Sequence, residues 1–252
     1  MSIKTAVVDG VATIEIARPE KKNAITRAMY TQLAAAFDAA REDGAVRAVL
    51  LTGQPGIFTS GNDIEDFVQR PSDEAPPSIA FMKSLIGCDK PVIAAVTGAA
   101  IGIGTTMLLH CDFVYVSDEA RLAMPFVSLG LVPEFGSSLI VGQLMGNARA
   151  AEKLLLGDPF TGADAVECGI ANAVLPASEV VRHARRVAER FNALPPGAVR
   201  ETKRLMRRGR STAALEAIDV ERDIFGTRLQ SPEAKEAFSA FFEKRKPDFS
   251  RF

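Results

Sequence analysis

The segment PVIAAVTGAAIGIG, Pro91 to Gly104, limits the folds open to this chain more than any other. The unbroken apolar run Val92–Val96 predicts a buried strand. Gly98, Gly102 and Gly104 then permit a sharp strand-to-helix turn with close backbone approach, leading into a helix-like segment that ends near Cys111. The first amides of a helix have no intrahelical acceptor, so such a turn suits a phosphate, another anion or a developing oxyanion.

Around that segment, strands and helices alternate. Alternating apolar runs flank Asp9-Gly10 in IKTAVVDGVATIEIARP, a strong hairpin signal. Thr26 is the expected N-cap of a helix reaching Glu42, in which Met29, Leu33, Phe37 and Ala40 recur at helical spacing. Val46–Leu51 predicts a buried strand, Asp63–Gln69 a short acidic helix, and Ile79–Ile86 another helix beyond a polar connection through Pro77. Phe113–Val116 and Ile170–Leu175 predict further strands. Glycines close the helical stretches SSLIVGQLMG, ARAAEKLLLG and GADAVECG, with Ser137-Ser138 expected to cap the first. From Ser178 the pattern is helical to the end, broken at Pro195-Pro196-Gly197 and near Pro232; the basic stretch RETKRLMRRGR reads as a solvated face. This order indicates an α/β or mixed α+β fold, with residues 1–195 as its core and 196–252 as a helical region.

Composition removes several function classes. A hydrophobic content of 47% with 24% charged residues is ordinary for a globular chain. A net charge of −1, few aromatics and no Trp leave neither a basic field nor a stacking surface for nucleic acid. Cys88, Cys111 and Cys168 are scattered without C-x-x-C spacing, which suits a reducing compartment and buried structural roles. No signal-peptide pattern, membrane-length apolar run or metal-ligand spacing is present, so a cytoplasmic chain with no membrane partner and no metal is expected. His110 and His183 each fall within a predicted helix and read as core or surface residues.

Thr97–Gly104 also spells T-G-x-x-x-G-I-G, the turn with which short-chain dehydrogenases hold a dinucleotide. Its context rules that out. The turn lies deep in the chain instead of after the first strand. The Tyr-x-x-x-Lys pair needed for carbonyl reduction is missing, since Ala34 follows Tyr30 and Glu119 follows Tyr115 at that spacing.

Several ordered motifs point elsewhere: RPEKKNAI (Arg18–Ile25), FTSGNDI (Phe58–Ile64), KPVIAAVTGAAIGIG, the stretch CDFVYVSDEARLAMPFVSLGLVPEFGSS (Cys111–Ser138), and FFEKRKPDF near the C-terminus. Together they resemble the enoyl-CoA hydratase/isomerase family, the crotonase superfamily. The resemblance implies a spiral of ββα units, a helical C-terminal region used in assembly of a homotrimer or dimer of trimers, and an acyl-CoA thioester substrate. Coenzyme A would enter as part of that substrate, with no separate cofactor. It also implies an oxyanion hole made by the backbone N–H groups of Asn62, after Ser60-Gly61, and Ile103, between Gly102 and Gly104. Lys22 and the backbone of Ala24 fall in the loop that receives CoA, and Ser60, Gly61, Asn62, Asp63, Ile64 and Gly102 are the other residues expected to bind the CoA thioester. Asp63 reads equally as an N-cap or a pocket residue.

The two glutamates that hydratases use fall here on Thr106 and Phe126, neither of them a carboxylate. Glu134 in GLVPEFGSS remains, and MPFVSLGLVPEFGSS resembles the peroxisomal-type Δ3,Δ2-enoyl-CoA isomerases, whose single catalytic Glu sits at this place. One base suffices for moving a double bond, and apolar neighbours such as Phe126 and Phe135 are expected to raise its pKa toward ~6–7. The expectation is therefore an isomerase with Glu134 as base and acid. The alternatives are a hydratase-like lyase using Glu134 or Asp63, and a non-catalytic acyl-CoA binder.

Overall fold

The computed structural model describes residues 2–68 and 76–252. Gln69 of the expected acidic helix, and most of the polar connection before Pro77, lie outside the described residues. Strands β1 (Ile3–Val8) and β2 (Val11–Ile16) pair antiparallel, and Asp9 and Gly10 turn between them at φ of 49° and 73°. Helix α1 (Arg27–Glu42) begins where Thr26 Oγ1 accepts the Met29 N–H. There follow β3 (Ala48–Thr52), β4 (Ile57–Thr59), α2 (Ile64–Val68), α3 (Pro77–Gly87), β5 (Val92–Val96), β6 (Ala99–Ile101), α4 (Ile103–Thr106), β7 (Phe113–Ser117) and β8 (Arg121–Ala123). The rest comprises α5 (Ser137–Met145), α6 (Asn147–Ala151), β9 (Phe160–Thr161), α7 (Gly162–Glu167), β10 (Ala173–Leu175), α8 (Val180–Glu189), α9 (Pro196–Met206), α10 (Arg210–Leu229) and α11 (Pro232–Phe242). Among the described residues no helix is long and apolar enough to cross a membrane.

From β3 to β8, consecutive strands go to different sheets. One sheet has the order β1-β2-β3-β5-β7-β10 and the other β4-β6-β8-β9. Thus β3 and β4, β5 and β6, β7 and β8 each give one strand to each sheet, and each neighbouring pair stacks parallel on the last. The result is the expected spiral of strand pairs and helices. Gly98 makes one of the sheet-to-sheet steps. Its φ is 70°, and a Cβ there would lie 1.8 Å from the Gly56 carbonyl oxygen.

The sheet faces explain the continuous apolar runs. In β5, Val92, Ala94 and Val96 join the main core with Leu33, Phe37 and Phe81, while Ile93 and Ala95 face the opposite way. There α8 covers them with Val180, Ala184 and Ala188, beside Ala48 and Leu50 of β3. Both faces of β3 and β5 are therefore buried, so polar alternation is absent. Full burial of a side chain such as Phe37 stabilises the fold by about 1.5–3 kcal/mol.

Several expectations change. The glycine segment is not one strand-to-helix turn, because β6 separates Gly98 from Gly102 and only the latter precedes a helix. The strand expected over Ile170–Leu175 starts at Ala173, since the Ile170 and Ala171 N–H groups still bond to Ala165 at the end of α7. The basic stretch is divided by Gly209 at φ 80° and is not simply solvated. Lys203 is buried and donates to Asp112 Oδ2 at 2.7 Å and to the Lys90 carbonyl at 2.6 Å. Arg207 donates to Asp112 Oδ1 at 2.8 Å, so these cations anchor α9 beside the start of β5. Helix also stops at Phe242 instead of running to the end. The tail folds back on Glu236, which accepts from Arg245, Arg251 and the Asp248 N–H.

Candidate active site

The first wall of the site is built from two loops laced together. Asn23 is fully buried at φ 55°, and its Nδ2 donates to the carbonyls of Ile16, Ile57 and Phe58 at 2.9–3.1 Å. The loop after β2 is thereby tied to β4. Thr59 Oγ1 donates to the Asn23 carbonyl and accepts the Gly61 N–H, and Ser60 N–H bonds to the Lys22 carbonyl. Ile25 N–H reaches Gly61 O at 2.8 Å, while Asp63 N–H reaches Ile25 O at 2.9 Å. This is a parallel bridge centred on Asn62, so the N–H of Asn62 points away from Ile25. The turn before α4 packs against the preceding residue. Gly61, at φ 92°, sits so close to it that a Cβ would be 2.8 Å from Ile101 O. Ile103 is the first residue of α4, where an N–H has no acceptor within the helix.

Lys22, Ala24, Ser60, Asn62, Asp63 and Ile64 line one open cleft of about 480 Å³, together with Phe241 of α11. Gly61 is buried beneath it. Gly102 and Ile103 adjoin this arrangement through the Gly61–Ile101 contact; the Ile103 side chain is in the core. Asp63 has both of the expected roles. Its Oδ1 accepts the Asp66 N–H of α2, and its Oδ2 pairs with Arg18 at 2.6 Å. Burial pushes its pKa up, but the bonds to Arg18 and the Asp66 N–H outweigh that and hold it below the usual carboxylate range.

Asn62 and Asp63 are shared with a smaller, largely apolar cavity that also takes in Tyr30, Met82, Glu134 and Phe135. Glu134 stands on the loop before α5. Ser137 Oγ donates to its carbonyl at 2.6 Å, and Phe135 and Gly136 follow at φ of 63° and 70°. Phe135 is stacked on His110 at 4.2 Å, and His110 Nε2 hydrogen-bonds the Phe135 carbonyl at 2.7 Å. Burial pushes the His110 pKa down to about 3, so the ring is neutral and Nε2 carries the donated proton.

Glu134 is 9% exposed, and its Oε1 is buried without a hydrogen-bond partner among the described residues. Burial, and secondarily the Glu221 carboxylate, push its pKa up to about 8, with the Asn62 side chain opposing by hydrogen bonding. The shift exceeds the sequence expectation; burial is its main source as expected, and Glu221 adds to it. Phe135 lines the cavity, whereas Phe126 is buried near Gly102 and is not among the lining residues. Asp63 and Glu134 are thus pushed apart, one held ionised and the other poised to exchange a proton near neutrality.

Sequence reasoning missed three contributors. Tyr30 donates to Asn62 Oδ1. Phe241 reaches the cleft from the last helix. Glu221 of α10 lines the cavity and accepts from Gly136 N at 2.6 Å, Ser138 N at 2.9 Å and Ser138 Oγ at 2.5 Å. The α5 terminus is capped by that carboxylate, not by Ser137-Ser138 themselves. Only Tyr30 carried a local signal, as a polar hydroxyl on the buried face of α1.

The family model described as enoyl-CoA hydratase/isomerase matches residues 7–251. The chain belongs to the enoyl-CoA hydratase/isomerase family. A solved structure of OdaA from Pseudomonas aeruginosa is 52% identical, superposes with a TM-score of 0.93, and covers 95% of this chain and 98% of its own. Human enoyl-CoA delta isomerase 2 is 34% identical over 94% of this chain, which spans 62% of the length of that relative. A probable enoyl-CoA hydratase of Bacillus subtilis is 28% identical over 98% of both chains. Family enzymes with hydratase and isomerase names thus surround this one, and the reaction has to be argued from the side chains.

Proposed function

We propose that this enzyme is a Δ3,Δ2-enoyl-CoA isomerase in which Glu134 is both base and acid. The observation that carries the reading is the Glu134 carboxylate, buried in an apolar cavity with Oε1 unengaged. In this mechanism Glu134 removes a proton from C2 of a 3-enoyl-CoA. The electron pair delocalises onto the thioester oxygen, and the N–H groups of Asn62 and Ile103 stabilise the dienolate. Each such donor is worth roughly 10²–10³ in rate. The protonated Glu134 then returns its proton at C4, giving the conjugated 2-enoyl thioester with no water consumed. Lys22, Ala24 and their neighbours would hold the CoA part in the open cleft. The resemblance carries with it a homotrimer or a dimer of trimers.

Hydration by the two-glutamate route requires a second available carboxylate. Thr106 is buried and Phe126 is apolar at the positions in question. Glu221 does line the cavity, but both of its oxygens are engaged at the start of α5. Among the described residues, one carboxylate of this pair is available for proton transfer, which favours isomerisation.

The test is a spectrophotometric assay with a trans-3-enoyl-CoA, following the absorbance of the conjugated product. Wild type is expected to turn over, and Glu134→Gln to lose roughly 10²–10⁴-fold in kcat while still binding acyl-CoA. Binding by both proteins with conjugation by neither would overturn the isomerase reading in favour of a silent binder or another acyl-CoA reaction.

A further inference from the structure

Glu221 is a polar interruption in the buried face of α10, which otherwise presents Ala214, Ile218 and Phe225. A carboxylate in that position requires hydrogen-bond donors to offset the loss of water. It finds them in the Gly136 and Ser138 N–H groups and the Ser138 hydroxyl. Two of these are backbone N–H groups at the start of α5, which no carbonyl of that helix can satisfy.

The segment so held is unusual. Phe135 and Gly136 are consecutive left-handed residues directly after Glu134. A bulky side chain seldom adopts that backbone unless its surroundings impose it. Two groups impose it here: His110 on the Phe135 carbonyl from one side, and Glu221 on the Gly136 N–H from the other. We infer that Glu221 is a positioning residue for Glu134, reaching from the C-terminal helices to hold the left-handed turn that aims the base into its cavity. The inference rests on the reading of Glu134 as the base.

Proximity gives this contact an electrostatic consequence. Two carboxylates facing one poorly hydrated cavity disfavour each other's ionisation. The other charged groups lining the cavity are Arg27 from α1, Asp63 just before α2, Asp66 within it, and Arg222 from α10. Tyr30 is the remaining titratable group of α1 in the wall. Asp63 is paired with Arg18, the Asp66 carboxylate accepts the backbone N–H of Arg27 at the start of α1, and Arg222 is paired with Asp219 and Asp223. His110, behind Phe135, is neutral, and Arg207 and Arg210 lie beyond it, bonded to the carbonyls of His110 and Leu109. Of these groups it is the Glu221 carboxylate whose charge raises the Glu134 pKa, so its removal should most change the titration of Glu134.

The experiment titrates Glu134 in wild type and in Glu221→Gln, with Glu221→Asp as a second variant that keeps the charge but shortens the reach. Two readouts run side by side. One is the acidic limb of kcat/KM for 3-enoyl-CoA isomerisation. The other is the infrared carboxyl band that disappears in Glu134→Gln, which reports the titration without any turnover. In Glu221→Gln the midpoint is expected to fall by about one pH unit or more. In Glu221→Asp it should stay close to wild type while kcat at high pH drops by about tenfold, because the turn is less well held. An infrared midpoint unchanged in Glu221→Gln, or a wild-type kcat in Glu221→Asp, overturns the inference. If wild type does not isomerise the substrate, the reaction reading fails, and the infrared midpoint still decides whether Glu221 acts on Glu134.

Discussion

The Tyr30 hydroxyl donates to Oδ1 of Asn62, and this fixes the Asn62 Nδ2 as the end of the amide that can serve Glu134. Burial pushes the Tyr30 pKa well above its ordinary value, and the charges of Glu134 and Asp66 push it further. The hydroxyl therefore remains a donor throughout any practical assay range. In Tyr30→Phe the amide loses its orientation, and Glu134 loses the hydrogen bond that opposes its raised pKa. We expect the acidic limb of the pH–rate profile to move up and kcat to fall by about tenfold, with KM changed much less. A limb that stays in place would show that Tyr30 only packs.

Glu134 should also leave a signature in stability. Its pKa is about 8 in the folded chain, against an ordinary value of 4.5. The fold binds the proton more tightly than the unfolded chain does, so folding favours the neutral acid. This contribution is fully present below the unfolded value and is lost as pH rises through the folded one. Glu134→Gln cannot ionise and escapes that loss. The variant should therefore match wild type near pH 4.5 and be the more stable protein at pH 9, by roughly 3–5 kcal/mol at most. Denaturant melts at the two pH values measure the difference. A gap that does not widen with pH would contradict the burial argument.

What could be read from the sequence follows a physical division. The Asp9-Gly10 turn, the Thr26 cap and the doubly buried β5 depend on neighbours a few residues away, and all were legible. The segments proposed for the oxyanion hole, and Glu134 as the proposed base, were picked out through resemblance, since nothing local distinguishes a glutamate between Pro133 and Phe135. The Lys203–Asp112 pair was invisible because a lysine inside a basic run looks solvated until its partner on a distant segment is placed beneath it. The Ser137-Ser138 expectation failed for the same reason. The start of α5 did need a cap, but the carboxylate comes from α10. Even the T-G-x-x-x-G-I-G segment misled only in part. Its glycines mark two tight places, a step between sheets at Gly98 and the entrance to α4 at Gly102, with a strand between them.

Gly61 tests the proposed oxyanion arm while leaving the loop that carries the base in place. Its φ of 92° is one that L residues rarely adopt, and a Cβ would stand 2.8 Å from the Ile101 carbonyl oxygen. Backbone of this kind cannot yield as a flexible side chain would, so Gly61→Ala must move the 60–62 turn, the 101–103 turn, or both. The Asn62 N–H is carried on the first and the Ile103 N–H on the second. Their separation and aim should therefore be disturbed while Glu134, on another loop, keeps its own backbone position and its burial, with only the Asn62 contact affected. We expect a loss of roughly 10²–10³-fold in kcat, the value of one such donor. Burial and Glu221 still act on Glu134, but its hydrogen bond from the Asn62 side chain moves with the turn, so the acidic limb should shift up no further than in Tyr30→Phe. Strain at a positive φ should also lower stability by about 1–3 kcal/mol. If instead kcat is preserved and only stability falls, the amides of this turn are not what holds the developing negative charge.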